Sequence, residues 1–145
     1  MDSRAVLTAL PWEEPRLMVT SQEPPVLRRH VLVVDDELAI REFLATFLAQ
    51  YEFAVRTAPD GASALTLLQT EPVDVILVDL QTPGISGLEM ACEVHKTNSS
   101  IPMALITGTP RAIQPALLRQ AGISRMFAKP FDLEALVAWL QALPL

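Results

Sequence analysis

The stretch from His30 to Glu37, His-Val-Leu-Val-Val-Asp-Asp-Glu, limits the folds open to this chain more than any other. Four consecutive apolar residues, mostly β-branched, end on two adjacent acids. This is the pattern of a strand buried on both faces that delivers carboxylates to its carboxyl end. Val73 to Asp79, Val-Asp-Val-Ile-Leu-Val-Asp, repeats it and also finishes on an acid. If both strands lie in one parallel sheet, Asp35, Asp36 and Asp79 meet at the same edge. Three carboxylates that close cannot all stay ionised without a cation, so the pattern predicts a metal site.

From Val31 onward, strand and helix patterns alternate. Ile40, Phe43, Leu44, Phe47, Leu48 and Tyr51 recur at three- and four-residue intervals and predict one inward stripe on a helix of about three to four turns. Phe53 to Arg56 is expected as a short strand, and Asp60 as the cap of a helix that turns Leu65 and Leu68 inward before Pro72. After the strand ending at Asp79 comes a turn-rich loop, Gln81-Thr82-Pro83-Gly84-Ile85. Ser86 and Glu89 then form a capping box opening a helix through Leu88, Ala91, Cys92 and His95. Met103 to Ile106 is the fourth strand, followed by Thr107 and Gly108. Pro115 would interrupt a helix begun at Arg111, because proline removes a donor and clashes one turn back. The fourth helix is therefore expected late and short, from Pro115 to Gln120. Met126 to Ala128 is a brief fifth strand before Lys129-Pro130-Phe131, and Asp132 caps a last helix with Leu133, Leu136, Val137, Leu140 and Leu143 inward.

Five strands alternating with five helices imply a doubly wound parallel sheet with helices on both faces, since right-handed crossovers place them there. Ligands of such sheets bind beyond the carboxyl ends of the strands. Asp35 and Asp36 follow the first strand, Asp79 ends the third, Thr107 follows the fourth and Lys129 the fifth. Independent spacings thus converge on one pocket.

Composition narrows the function classes. A chain of 145 residues with 50% hydrophobic content suits one domain with a sizeable core. A formal charge of −6 argues against direct nucleic-acid binding, which usually employs a basic face. No apolar run long enough for a bilayer and no export signal occur, and the single Cys92 fits a reducing compartment, so a cytoplasmic protein is expected. His30 and His95 lack zinc-site spacing and are expected at the surface or a strand edge. Residues 1–29 differ from the rest. Pro11, Pro15, Pro24 and Pro25 break any period, which predicts a flexible extension, and Arg28 and Arg29 end it. Leu7, Leu10, Trp12, Leu17, Met18 and Val19 are nevertheless more apolar than a spacer needs, and could dock on a partner or on the domain. No second domain is expected after the last helix.

Taken together, Val-Val-Asp-Asp-Glu, Leu-Val-Asp-Leu-Gln-Thr-Pro-Gly-Ile-Ser-Gly, Leu-Ile-Thr-Gly and Phe-Ala-Lys-Pro-Phe resemble, in order and spacing, the receiver domain of two-component response regulators, over Arg29 to Leu145. The resemblance implies a flavodoxin-like strand order 2-1-3-4-5, with residues 30–145 as a single-domain, chemotaxis-regulator-like receiver. It implies a phosphoryl group accepted on Asp79 from a sensor histidine kinase or histidine phosphotransfer protein. Mg²⁺ would be bound directly by Asp36 and Asp79, by Asp35 largely through water, and by the backbone carbonyl of Gln81. Lys129 would pair with the carboxylate and later the phosphoryl group, Thr107 and Gly108 would donate to the remaining oxygens, and Lys129-Pro130 would be a cis peptide. Such a module is a phosphorylated and self-dephosphorylating switch rather than a turnover enzyme. It changes a face that binds a downstream protein target or a second copy as a homodimer, and it contacts neither nucleic acid nor membrane. Two positions depart from the family pattern: Met126 stands where an aromatic switch residue is usual, and Pro115 alters the fourth helix. They support an alternative, a phosphorylation-independent scaffold with the same fold. A nucleotide or phosphate-ester hydrolase is opposed by the lack of G-x-x-x-x-G-K-[ST] and of an Asp-x-Asp after any strand.

Overall fold

The structure, a computed structural model, describes residues 28–144. Of the expected flexible extension, residues 1–27, with all its apolar residues singled out above, fall outside the described residues, and only Arg28 and Arg29 are described. The element order is β1 (His30–Val34), α1 (Leu38–Ala49), β2 (Ala54–Ala58), α2 (Gly61–Leu68), β3 (Val75–Asp79), α3 (Gly87–Thr97), β4 (Met103–Thr107), α4 (Pro115–Gln120), β5 (Ile123–Ala128) and α5 (Leu133–Ala142), with a 3₁₀ turn at Pro110–Ala112. The strands form one parallel sheet in the order β2-β1-β3-β4-β5. This is the doubly wound α/β fold that the alternating pattern predicts.

The apolar runs form the sheet's middle because neither of their faces meets water. Val31 to Val34, Val75 to Asp79 and Met103 to Thr107 are all buried. Alternate side chains feed two cores. Val31, Val33, Leu77 and Ile106 meet Leu44 and Leu48 of α1 and Leu136 and Leu140 of α5. Leu32, Val34, Ile76 and Leu105 meet Ala64 of α2, Met90 and Val94 of α3, and Ala121. Each of the fully buried leucines contributes about 1.5–3 kcal/mol. Helix starts are fixed by side chains reaching back to free amides: Asp60 accepts from Ser63 N–H, Ser86 and Glu89 close a capping box, and Asp132 accepts from Ala135 N–H.

Several local expectations shift. β2 begins at Ala54, one residue after the buried Phe53, and runs to Ala58 rather than spanning Phe53 to Arg56. β5 extends back to Ile123, beyond the expected Met126 to Ala128, because its pairing with β4 continues across a register irregularity at Met103/Ala104. On α1 the inward residues are Leu44 and Leu48, with Ile40 and Phe47 partly covered, while Phe43 and Tyr51 are 47% and 42% exposed. On α3 the buried positions are Met90, Ala91 and Val94, whereas Leu88 and Cys92 are only half-buried and His95 packs over Gly122 at the start of β5. His30 sits in β1, an inner strand rather than an edge, where its N–H donates to Asp74 at 2.7 Å. Arg29 is tied into the domain: its Nη1 donates to the Leu140 carbonyl at 2.7 Å and its own carbonyl accepts from Ala54 N–H. α4 spans Pro115–Gln120 as expected, with proline in its first turn, where no amide partner is lost.

Candidate functional site

The parallel register brings the carboxyl ends of β1, β3, β4 and β5 to one rim, so each strand's terminal polar residue arrives at the same place. There Asp36, Glu37, Asp79, Gln81, Thr107, Gly108, Thr109 and Lys129 line a cleft of about 480 Å³. Asp35 lies beneath it, fully buried. Its Oδ1 accepts from Glu37 N–H at 2.9 Å, and its carbonyl accepts from Arg41 Nη1 at 2.7 Å. Asp35 therefore anchors the start of α1 while its other oxygen faces the site. Asp36 is exposed at the cleft wall, and one carboxylate oxygen from each of Asp35, Asp36 and Asp79 falls within 4.8 Å of the others.

Lys129 is the cation of this group. Its Nζ lies 3.1 Å from Asp35, 3.2 Å from Asp79 and 3.5 Å from Glu37. The Lys129-Pro130 peptide is cis. Burial alone would pull the lysine down, but the Asp35 hydrogen bond and the charges of Asp35 and Asp79 together hold it above its ordinary value. Asp79, with only 6% of its surface exposed, goes the opposite way from an ordinary ion-paired acid. Burial, then the negative charge of Asp35, raises its pKa, and the Gln81 N–H and Lys129 only partly offset this. One lysine does not neutralise the acids around it.

The chemistry of this donor set fits a hard divalent cation of the Mg²⁺ class: three carboxylates, all oxygen, two of them open to the cleft, with a surplus of negative charge. On the far wall, Thr107 is 1% exposed, and its Oγ1 accepts from Thr109 N–H at 2.9 Å and lies 3.2 Å from Thr109 Oγ1. The Gln81 N–H donates to Asp79 Oδ1 at 3.3 Å. Met126 is half-buried and packs against the core on the α2 and α3 face of the sheet.

Asp35, Asp36, Asp79, Gln81, Thr107, Gly108 and Lys129 thus come together at this rim, whereas Met126 packs into the core. Two contributions were not legible as such. Glu37 adds a third carboxylate to Lys129, yet reads in sequence only as the end of the acidic run. Gly87 is needed because any Cβ there would fall on the Asp79 carbonyl oxygen, and the Ile-Ser-Gly of the loop was its sole signal. Among the described residues, no helix is long and apolar enough to cross a membrane.

Comparison with known proteins identifies the family and the fold. A family profile described as the response regulator receiver domain matches residues 31–141. Response regulator MprA of Mycolicibacterium vanbaalenii is 33% identical over 113 residues, which span 78% of this chain and 49% of that protein. MprA of Mycobacterium avium is 32% identical over the same length. The chain spans about half the length of the curated relatives it matches. Among solved structures, the chemotaxis response regulator CheY4 of Vibrio cholerae superposes with a TM-score of 0.72 at 29% identity, covering 79% of this chain and 98% of that one. Response regulator TrrA of Thermotoga maritima, solved in complex with Mg(2+)-BeF, gives 0.72 at 29% identity, covering 78% and 96%.

Proposed function

This chain belongs to the response regulator receiver domain family of two-component systems, and from that premise we propose that it accepts a phosphoryl group on Asp79 from a phosphohistidine donor. The donor is a sensor histidine kinase or a histidine phosphotransfer protein, and the transfer alters a face read by a downstream protein. One observation carries the reading. Asp79 ends a fully buried strand with its carboxylate open to the cleft, 3.2 Å from Lys129 and within 4.8 Å of Asp35 and Asp36.

Asp35, Asp36 and Asp79, with the Gln81 carbonyl, would hold Mg²⁺. When bound, the ion neutralises charge on the transferring oxygens and orients them for in-line displacement. The Asp79 carboxylate oxygen attacks phosphorus, the new O–P bond forms as the P–N bond to imidazole breaks, and the imidazole leaves with the electron pair and takes up a proton. Lys129 holds Asp79 in place beforehand and afterwards follows the charge onto a phosphoryl oxygen. The Thr107 hydroxyl and Gly108 N–H donate to the other oxygens. Little covalent work falls to the protein, so positioning and preset charge supply the rate. The module loses its phosphoryl group to water and is not a turnover enzyme.

The test is to incubate the chain with Mg²⁺ and a small acyl phosphate and to weigh it. A gain of one phosphoryl group is expected, abolished by chelator and by Asp79→Asn. No gain in the wild type, beside a receiver that labels under the same conditions, would overturn the reading.

Met126 favours a second reading. A flexible thioether there lacks the two discrete ring positions of an aromatic switch, which suits a scaffold that binds its partner unphosphorylated. A partner complex indifferent to both Mg²⁺ and Asp79→Asn would select it.

A further inference from the structure

Away from the cleft, α1 and the turn after it carry a row of rings that the domain covers only in part. Phe43 and Phe47 stack with centroids 5.7 Å apart, Phe47 and Tyr51 meet at 5.3 Å, and Phe43 and Tyr51 keep nearly half of their surfaces in contact with solvent. Three adjacent aromatic residues, two of them nearly half open to water, are costly to hydrate, at roughly 25 cal/mol for each Å² of apolar area.

The row ends where the chain enters the domain. Tyr51 shares a shallow cavity of about 230 Å³ with Arg29, Glu52, Phe53 and Gln141. Arg29 is pinned there by its hydrogen bonds to Leu140 and Ala54. Residues 1–27, outside the described structure, therefore attach within reach of Tyr51 and contain Leu7, Leu10, Trp12, Leu17, Met18 and Val19. The 12-residue α1 is about 18 Å long at ~1.5 Å per residue, whereas an extended chain covers ~3.3 Å per residue. Trp12 lies seventeen residues before Arg29, so the segment has length to spare for running along the whole row.

We propose that residues 1–27 dock on the Phe43, Phe47 and Tyr51 row of their own domain, with Trp12 and its apolar neighbours covering the exposed rings. The segment is tethered, so this contact forms at the high effective concentration of an intramolecular ligand and needs little intrinsic affinity.

The experiment uses the full chain labelled with 5-fluorotryptophan. Its two tryptophans are Trp12 and Trp139, and Trp12→Phe assigns the signals. The Trp12 resonance is expected away from its position in denaturant, unchanged on hundredfold dilution, and moved back by at least half in Phe43→Ser/Tyr51→Ser. Trp139, packed edge-on to Phe127, reports that the variant remains folded; should its signal move, Phe43→Ser alone replaces the double variant. The proposal is overturned if Trp12 sits at its denatured position, or if its shift survives the α1 substitutions. A shift that disappears on dilution also overturns it and assigns the row to a second copy of the chain.

Discussion

β3 and β4 are neighbours, paired from Ile76 with Met103 to Asp79 with Ile106, and both are buried along their whole length, yet they leave the sheet in opposite styles. The path out of β3 is held at every step. Leu80 N–H donates to the Ile106 carbonyl, Thr82 Oγ1 donates to the Ile85 carbonyl, and Gly87 N–H donates back to Leu80. A complete capping box then starts a helix that buries Gly87, Met90, Ala91 and Val94. The path out of β4 has a Thr107–Thr109 turn, a 3₁₀ turn with no buried residue, and a six-residue helix with no side-chain cap and no buried residue. The difference assigns labour. The segment presenting the Asp79 carboxylate is over-determined, while the segment beyond the Thr107 hydroxyl is held by few contacts. Local opening draws on such weakly tied regions.

Two glycines give the sharpest way to break this contrast. A Cβ at Gly87 meets the backbone of Asp79 and Leu80, which cannot give way as a side chain could, whereas one at Gly108 meets nothing within 4 Å. Gly87→Ala is expected to destabilise by at least about 1–3 kcal/mol, the range for forced overpacking, and to displace Asp79. Gly108→Ala should remain within about 0.5 kcal/mol. Urea denaturation of the two variants decides it; equal losses would mean that the exit of β4 is as tightly built as that of β3.

The same contrast governs what the sequence reveals. Buried strands and capped helices leave residue-level traces, so β1, β3 and the start of α3 are legible directly. α4 is legible as well, through Pro115 alone, because a proline limits a helix whatever it packs against. Periodicity fails where apolar residues face water: Phe43 and Tyr51 fit the inward stripe of α1 in sequence and lie outside it in the fold. It also fails for β5, where Ser124 and Arg125 look like loop residues, yet Arg125 pairs with Ala104 of β4 and Ser124 is the extra residue at the register irregularity. At the site, the acids were legible from their places at strand ends. Lys129 was legible in the same way, as the residue after the fifth strand, but its contacts with Asp35 and Asp79 rest on the parallel register across β1, β3, β4 and β5, a long-range property that no local spacing encodes. The steric need for Gly87 is likewise invisible until the backbone of Asp79 is placed against it.

A second test turns on charge. The Asp79 pKa is raised by burial and by Asp35, so between the ordinary value of 3.8 and the raised one the folded chain binds more protons than the unfolded chain. Stability must therefore fall as pH rises through that window, and above it the ionised carboxylate remains a constant penalty. Lys129 acts in the other direction at the alkaline end: its stabilisation is full below 10.5 and is lost as pH climbs through its raised value. Denaturation of the metal-free protein across pH should show the acidic decline in the wild type and not in Asp79→Asn. Added Mg²⁺ should flatten it by compensating the charge. A profile identical in both proteins would place the strain elsewhere than on Asp79.

The smallest expected difference separates the two helices themselves. Ser86→Ala removes the side-chain acceptor for Glu89 N–H and half of the capping box, which costs about 1 kcal/mol. Leu117→Ala trims a side chain already 45% exposed on α4, so a change below about 0.5 kcal/mol is expected. Amide exchange is the better measure here, because it reads each helix separately. α3 should exchange near the global limit in the wild type and faster in Ser86→Ala, while α4 should exchange quickly in every variant. If α4 were protected as strongly as α3, its lack of buried residues would not describe its true attachment. The contrast between the two exits would then reduce to the one contact between Gly87 and Asp79.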